Sequence, residues 1–211
     1  MQVKYNRDLY DLITALAGVT SFTTNEKTQL LNFAKRRMYE AYQATPMWPR
    51  YLVVGEDRVV ASSVIAFTQT DKNDIAEFIR IHRTQPFVRN SALEFEFFVQ
   101  SDGAHILNLT TSDADSAFVT YKKELTDIPS TWDLHDTNPK TTQEIPLEFF
   151  YYVAHSVYAD FLRMDGQHDK ALAEEQVANK YLANELEKTD QVMNNNTVKK
   201  RFNTYVSNQS R

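Results

Sequence analysis

Residues 145–190 read IPLEFFYYVAHSVYADFLRMDGQHDKALAEEQVANKYLANELEKTD, and this stretch decides the fold. Pro146 is tolerated in the first turn of a helix, because its missing N–H would be unpaired there anyway. Apolar side chains then recur at steps of three and four, the spacing of one broad helix face. They are Leu147, Phe150, Val153, Ala154, Val157, Tyr158, Phe161 and Leu162. Gly166 ends this helix, since glycine adopts the left-handed C-terminal conformation without a steric penalty.

A second helix is predicted to begin near His168 and Asp169. Its apolar set is Ala171, Leu172, Ala173, Val177, Ala178, Tyr181, Leu182 and Leu186. Two helices joined by so short a turn must lie antiparallel. The stretch therefore predicts a helical hairpin, which we take as the platform of the chain.

Two further helices are predicted near the N-terminus. The first covers residues 8–17, with an apolar side of Leu9, Leu12, Ile13 and Leu16, and Gly18 ends it. The second begins after Thr23 or Thr24, either of which can cap it, and Glu26 stands in its first turn where the helix dipole favours negative charge. It ends at Thr45-Pro46, because the residue before a proline is pushed out of helical geometry.

The period of the pattern changes after these helices. Residues 51–54 and 58–60 read as two strands joined by a turn at Gly55, Glu56 and Asp57. Further strands are predicted at 74–83, 93–97, 105–110 and 117–125, with a turn at Ser101-Asp102-Gly103. Because the strands come in one run between two pairs of helices, an antiparallel meander is expected rather than alternating βαβ units.

The predicted fold class is α+β: a bundle of four main helices with an antiparallel β insert between the second and third helices and an extended C-terminal tail. The predicted regions are 1–46 for the N-terminal helices, 47–132 for the insert, 133–190 for the hairpin that completes the bundle, and 191–211 for a docking tail. The polar loop 133–144 receives no role.

Composition limits the class of protein. The chain has 211 residues, of which 42% are hydrophobic and 12% aromatic, so it can bury a core. It has no cysteine, which excludes disulfides and thiolate chemistry and fits a reducing compartment. No apolar run approaches the roughly 18 to 20 residues that span a bilayer, and the N-terminus has no signal-peptide core. We therefore expect a protein of the cytosol with no membrane partner.

The net charge of −5 is unevenly distributed. Four basic residues and no acidic residue follow Asp190, so that segment carries +4 and residues 1–190 carry −9. An acidic body disfavours non-specific binding of nucleic acid, because phosphate affinity depends on clustered lysine and arginine. The basic, asparagine-rich end is instead typical of an unstructured arm that docks on a partner.

Catalytic motifs are not apparent. No two of the histidines at 82, 105, 135, 155 and 168 have the i, i+4 spacing of a helical metal pair. Glu94 and Glu96 could imitate a catalytic carboxylate pair, but the alternating solvent face of a strand explains them better. The sequence predicts no enzyme, no cofactor and no metal. An enzyme that uses Glu94, Glu96, His82 and His105 stays as the least favoured hypothesis.

Several side chains are candidates for contacts between subunits. Lys35-Arg36-Arg37 reads as a wet helix face or as an ion-pairing contact with an acidic neighbour, rather than as a phosphate site. Trp48 and Tyr51 flank Pro49-Arg50 directly after the second helix, where aromatics fill an element junction or anchor an interface. The candidate interface residues are Arg36, Arg37, Trp48, Arg50, Glu174 and Glu175. The candidate docking residues of the tail are Val198, Lys199, Lys200, Arg201, Phe202 and Tyr205.

Element order and a few loosely spaced residues carry a resemblance over about residues 30–190. A helix that ends in an arginine-rich stretch and then Trp48-Pro49-Arg50 resembles the entry to the β insert in head–tail connector (adaptor or neck) proteins of podovirus-like tailed phages. The later order is similar too: strand 117–125, the proline-started helix from Ile145, and the alanine-rich return helix after Gly166.

This resemblance implies a structural virion protein in the neck between capsid and tail, assembled in the host cytoplasm. It implies a ring of identical copies, commonly twelve, between the portal protein and the tail nozzle protein. The ring would be a conduit for DNA during packaging and ejection, with no sequence recognition. The tail would insert between portal subunits. The alternative is a non-catalytic helical-hairpin binding module, or regulator, that grips a peptide.

Overall fold

A computed structural model describes residues 3–86, 94–110, 115–126 and 144–208, and it describes the side chains of these ranges from residue 4 to residue 191. In chain order the elements are β1 (Val3–Tyr5), α1 (Asn6–Ala17), α2 (Thr24–Gln43), β2 (Leu52–Val59), β3 (Val64–Ala66), β4 (Ile75–His82), β5 (Phe97–Gln100), β6 (Gly103–Ile106), β7 (Ser116–Lys123), β8 (Glu144–Pro146), α3 (Leu147–Met164) and α4 (His168–Asn208). The predicted fold class is confirmed, because the described residues form four helices, and an antiparallel β insert lies between the second and the third helix in the sequence.

The chain divides into two compact units. The helical unit comprises Met1–Thr45 and Asp127–Arg211, and the insert comprises Pro46–Thr126. The polar loop predicted at 133–144 lies outside the described residues, except for Glu144, which begins β8.

The ends of the first two helices agree with the sequence. Gly18 follows α1 in the left-handed conformation at φ 67°. Thr23 is the residue that caps α2: its hydroxyl accepts from the Glu26 N–H, and the Glu26 carboxylate accepts from the Thr23 N–H at 2.7 Å. This reciprocal pair satisfies two backbone donors that a helix start otherwise leaves free.

The predicted helical hairpin is confirmed. α3 and α4 are joined by the turn at Gly166, whose φ is 77°. Pro146 differs from its prediction by one position, because it caps α3 and does not belong to its first turn. It also closes the short ladder of β8 with β1, which the sequence did not predict. α3 contacts α1, α2 and α4, and its apolar face forms the centre of the helical core. Fully buried members of that core are Leu9, Ile13, Leu30, Ala34, Met38, Ala41, Phe149, Val153, Ala154 and Val157.

α4 is longer than the sequence analysis predicted. The chain was expected to leave helical structure after Asp190 and form an unstructured arm, whereas the backbone of α4 continues to Asn208. The physical reason is that no glycine or proline follows Gly166, so nothing in the sequence interrupts the ladder.

The insert consists of two three-stranded sheets of order β2-β7-β4 and β3-β6-β5. Every pairing in them is antiparallel, as predicted. The predicted meander order was wrong for both sheets, because β7 lies between β2 and β4, and β6 lies between β3 and β5. The side chains between the sheets form one apolar core: Val60, Ile65, Ile75, Phe78, Ile81, Phe95, Ala104, Ile106, Ala117, Val119 and Tyr121.

Gly55 was predicted to lie in a turn between two strands, and this was wrong. β2 runs without interruption from Leu52 to Val59, and Gly55 lies at an irregularity in its register between Val53 and Glu56. Its φ of 65° suits glycine. A bulge of this kind needs the same residue type as a turn, which is why the sequence pattern could not separate the two.

The acidic–apolar alternation at 93–97 also differs in detail. Glu94 forms an isolated bridge with His82, and the regular strand β5 starts only at Phe97. The alternation of burial is nevertheless present, since Phe95 is buried while Glu94 and Glu96 are exposed. The turn before Gly103 is confirmed as the β5–β6 connection.

Candidate functional site

One carboxylate, Asp160 of α3, lies inside the helical unit with 5% of its side chain exposed. Three arginines donate to it. The distances to its oxygens are 2.6 Å from Arg36 Nη2, 2.7 Å from Arg37 Nη2 and 3.1 Å from Arg163 Nη1. Because Arg36 and Arg37 belong to α2, this carboxylate joins two helices that are separated by the whole insert in the sequence.

Further carboxylates surround these arginines. Arg37 Nη1 donates to Glu40 at 2.8 Å, and Arg163 donates to Glu175 of α4. Arg37 Nη2 lies 3.5 Å from Glu175 as well. Three cations therefore face three anions, and α4 is joined to α2 and α3. We call these six side chains the Asp160 cluster.

The cluster sets the protonation of its own members. Burial alone would raise the pKa of the Asp160 carboxyl, but the hydrogen bonds and charges of Arg37 and Arg36 outweigh burial and hold that pKa below its ordinary value. The hydrogen bond to Asp160 raises the pKa of Arg37, against the opposing effect of burial. The lowered pKa of Asp160 is what a buried carboxylate with several hydrogen-bonding cations should show.

The sequence analysis missed Asp160, although a signal was present. Val153, Val157 and Asp160 follow one another at steps of four and three, so the carboxylate falls on the apolar face of α3. A carboxylate on a buried face requires cations, because an unpaired buried charge is very costly. The cationic run Lys35-Arg36-Arg37 in α2 contains two of them, Arg36 and Arg37.

A second feature of the helical unit is a groove between α3 and α4. The rings of Tyr151 and Tyr181 stack at 5.3 Å, and the ring of His155 stacks on Tyr181 at 5.3 Å. Nδ1 of His155 lies 2.8 Å from Glu174, which fixes the imidazole. The groove encloses about 410 Å³. Its lining, which we call the tyrosine groove, consists of Tyr151, Tyr181, Asn184, Glu185, Glu187, Lys188 and Gln191.

The insert contains a buried cation of its own. The side chain of Arg58 has 0% exposure, and its Nε lies 2.8 Å from Glu56. Its Nη2 donates to the Tyr121 hydroxyl at 2.6 Å and to the Asn73 carbonyl at 2.5 Å. The Tyr121 hydroxyl in turn donates to Glu56 at 2.7 Å. Burial, and then the hydrogen bond to Glu56, raise the pKa of Tyr121.

A cavity of about 640 Å³ lies beside β2 and β3 in the insert. The Gln69 amide reaches its edge, where it accepts from the Val59 N–H at 3.2 Å and donates to the Val59 carbonyl at 2.9 Å. A side chain thus occupies the main-chain groups that a further strand would use. This is a way to protect the edge of a sheet.

The predicted interface residues fall into different environments. Arg36, Arg37 and Glu175 belong to the Asp160 cluster, and Glu174 binds His155. These side chains therefore have partners inside their own helical unit. Arg36 is the one among them whose side chain is about half exposed, at 53%.

The other two candidate interface residues, Trp48 and Arg50, belong to the insert. Trp48 is 1% exposed, so its ring is part of the chain's own interior, and Tyr51 is equally buried. Arg50 is half-buried. The docking residues Val198, Lys199, Lys200, Arg201, Phe202 and Tyr205 have a helical backbone in α4, and their side chains lie outside the described residues.

The side chains of the enzyme hypothesis are not gathered in a pocket. Neither of the two cavities above is lined by His82, His105, Glu94 or Glu96. His82 is buried, with Nδ1 3.9 Å from Glu94, whereas His105 pairs with Asp102 at 2.8 Å in the β5–β6 hairpin. In the part of the chain that the structure describes, no group of three or more histidine and acidic side chains is placed to hold a metal ion.

No described helix is both long enough and apolar enough to cross a membrane. No known family model matches the chain, and no curated protein matches it.

Proposed function

We propose that the chain is a structural virion protein that forms the head-to-tail adaptor ring between a portal protein and a tail nozzle protein. The observation that carries the proposal is α4. It has 41 residues, against 18 in its antiparallel partner α3. At a rise of about 1.5 Å per residue, a straight α4 runs some 30 Å past the start of α3 and ends in the basic segment.

The Asp160 cluster supports this role mechanically. A ring that transmits DNA has to hold its helices in fixed positions, and the cluster connects α2, α3 and α4 through charged hydrogen bonds around the buried Asp160 carboxylate. The base of α4 is thereby fixed, and the basic segment lies at the other end of the same helix. The last turns of α4, with Val198, Lys199, Lys200, Arg201, Phe202 and Tyr205, are the portal-docking element in this proposal.

The distribution of charge along the chain supports a role as a conduit for DNA. The first 190 residues carry −9 and the rest +4. An acidic ring repels the duplex, so DNA passes without adhering, while the basic end can bind an acidic pocket. No sequence recognition of DNA and no catalysis are required of such a ring.

Deletion of residues 191–211 tests the proposal. The full chain should co-sediment with portal rings, and the shortened chain should lose portal attachment while its helical unit keeps its melting temperature. Asp11→Lys, on the exposed face of α1, is a suitable control and should attach like the wild type. A full chain that stays monomeric and ignores portal rings would contradict the proposal.

The tyrosine groove favours one other candidate, a helical-hairpin module that grips a peptide. A half-exposed aromatic pair between two helices is a common place for an amphipathic peptide to dock. Such a module would form 1:1 complexes and would keep its partner after residues 191–211 are removed. The same deletion therefore separates the two functions.

A further inference from the structure

α4 changes the sign of its charge along its length. From Asp169 to Asp190 it has the acidic residues Asp169, Glu174, Glu175, Glu185, Glu187 and Asp190, and the basic residues Lys170, Lys180 and Lys188. The remaining part of the chain contains Lys199, Lys200, Arg201 and Arg211 and no acidic residue. The helix is thus a charged rod whose first part is acidic and whose last part is basic.

The tyrosine groove lies on the acidic part of this rod. Tyr151 and Tyr181 are 43% and 39% exposed, which is high for two stacked rings. Glu185 and Glu187 line the same groove, and Glu185 is held by Lys188 while Glu187 accepts from Gln191 at 3.2 Å. Tyrosine faces attract cationic side chains and carboxylates pair with them, so the groove is suited to lysine and arginine on an aromatic-containing segment.

The sequence that matches this chemistry is the chain's own basic segment, residues 198–202, which reads Val-Lys-Lys-Arg-Phe. It cannot reach the groove of its own copy. Lys199 follows Glu185 on the same continuous helix, which places the two about 21 Å apart along its axis. The occupant must therefore come from another molecule.

We propose that the tyrosine groove of one copy binds the basic segment of a second copy. Antiparallel pairing of two α4 helices brings each basic segment to the groove of the other copy at once. Such an isologous contact is closed, so it stops at a dimer. The dimer is the form of the chain without portal. Under the proposed function, the portal then competes for the same segment and releases the pair for ring assembly.

Binding of a labelled peptide to the full chain tests this without any portal protein. The probe is a fluorescent synthetic peptide of residues 192–211, titrated with the full chain at low salt and followed by anisotropy. Saturable binding is expected. Tyr181→Ala should weaken it about fivefold, which corresponds to the roughly 1 kcal/mol of an exposed cation–π contact. Raising the salt concentration should weaken it too, because the contact is exposed.

Charge reversal provides the matched control. Glu185→Lys with Glu187→Lys should weaken binding at least about tenfold, since two ion pairs become repulsive. Glu94→Lys with Glu96→Lys makes the same change of charge at exposed positions of the insert that do not line the groove, and it should leave binding within about twofold. A peptide with Lys199→Glu and Lys200→Glu should bind the reversed groove better than it binds the wild-type groove, which also shows that the reversed protein is folded.

Three outcomes would overturn the inference: no binding of the peptide, equal weakening by both charge-reversed pairs, or no recovery with the reversed peptide. Sedimentation of the full chain should give a dimer that becomes monomeric after Glu185→Lys with Glu187→Lys. Since no portal is present in these measurements, their failure would leave the adaptor proposal untouched. Failure of portal attachment would equally leave this pairing untouched.

Discussion

The helical unit and the insert each contain a buried charged side chain, Asp160 and Arg58, and the two units neutralise it in different ways. Asp160 has 5% side-chain exposure and accepts from three arginines, whose remaining charge is balanced by Glu40 and Glu175. Arg58 has 0% exposure and one carboxylate partner, Glu56; its other partners are the neutral Tyr121 hydroxyl and Asn73 carbonyl.

The two buried charges also differ in which parts of the chain they connect. Arg36 and Asp160 are separated by 124 positions, and their contact joins helices from the two ends of the chain. Arg58 and Tyr121 are separated by 63 positions, and their contact joins neighbouring strands that already share a ladder. Asp160 is therefore a tertiary contact between helices that share no backbone ladder, whereas Arg58 reinforces a sheet that backbone hydrogen bonds hold independently.

Removal of the Asp160 charge should give the largest effect. Asp160→Asn leaves the buried Arg37 guanidinium without its main anion, and we expect a loss of about 3–5 kcal/mol in the free energy of unfolding. Urea denaturation measures it. Asp11→Asn is the control, because that carboxylate is 64% exposed and lies 3.8 Å from Arg7; such surface pairs contribute about 0–1 kcal/mol. Similar losses of unfolding free energy in Asp160→Asn and Asp11→Asn would show that Asp160 contributes no more to stability than a surface carboxylate.

Removal of the Arg58 charge should cost less. In Arg58→Leu, Glu56 can hydrate because 21% of its side chain is exposed, and the Tyr121 hydroxyl keeps Glu56 as its acceptor. We expect a loss of about 2 kcal/mol, in the range for one buried polar network member. Hydrogen exchange should show faster opening of β7 and unchanged protection of α3. A loss of unfolding free energy larger in Arg58→Leu than in Asp160→Asn would show that Arg58 is the more important of the two buried charges.

Acid should act on the helical unit through Asp160. Its pKa is depressed in the folded chain, so the contribution to stability is present above the unfolded value of about 3.9 and is lost as the pH falls through the folded pKa. The melting temperature of the wild type should fall in this range more steeply than that of Asp160→Asn. Parallel curves for the two proteins would show that the carboxylate is not held in its charged form.

High pH should destabilise the insert through ionisation of Tyr121, and this is the smallest of the four expected effects on stability. Its pKa is raised by burial and by the hydrogen bond to Glu56. The neutral Tyr121 hydroxyl therefore contributes to folding stability below the unfolded pKa of about 10, and this contribution is lost as the pH rises through the folded pKa. The pKa values of Tyr152 and Tyr158 are raised by burial too. Comparison with Tyr121→Phe is therefore needed: the variant should lack one late-ionising tyrosine in the absorbance titration, and an unchanged titration above pH 10 would contradict the assignment.

Local chemistry made much of the fold predictable. Thr23 with Glu26, Gly18 and Gly166 are end signals whose meaning depends on a few neighbouring residues, and they marked three helices correctly. The antiparallel character of the insert followed from the order of elements alone. These features need no knowledge of distant parts of the chain.

The features that failed depend on distant contacts. The position of β7 between β2 and β4 is decided by which edges meet, and no alternation of side chains encodes it. The role of Gly55 depends on whether the chain reverses after it, which only the partner strand shows. The partners of Asp160 lie on α2, so its burial could be foreseen from the face of α3 but its arginines could not.

We propose that this chain assembles on a portal through the end of α4. The most direct measurement is electron microscopy of the full chain mixed with purified portal rings, beside the chain that lacks residues 191–211. We expect an added ring of density on one end of the portal with the full chain, and bare portals with the shortened chain. Bare portals in both samples, or the same added ring in both, would contradict it.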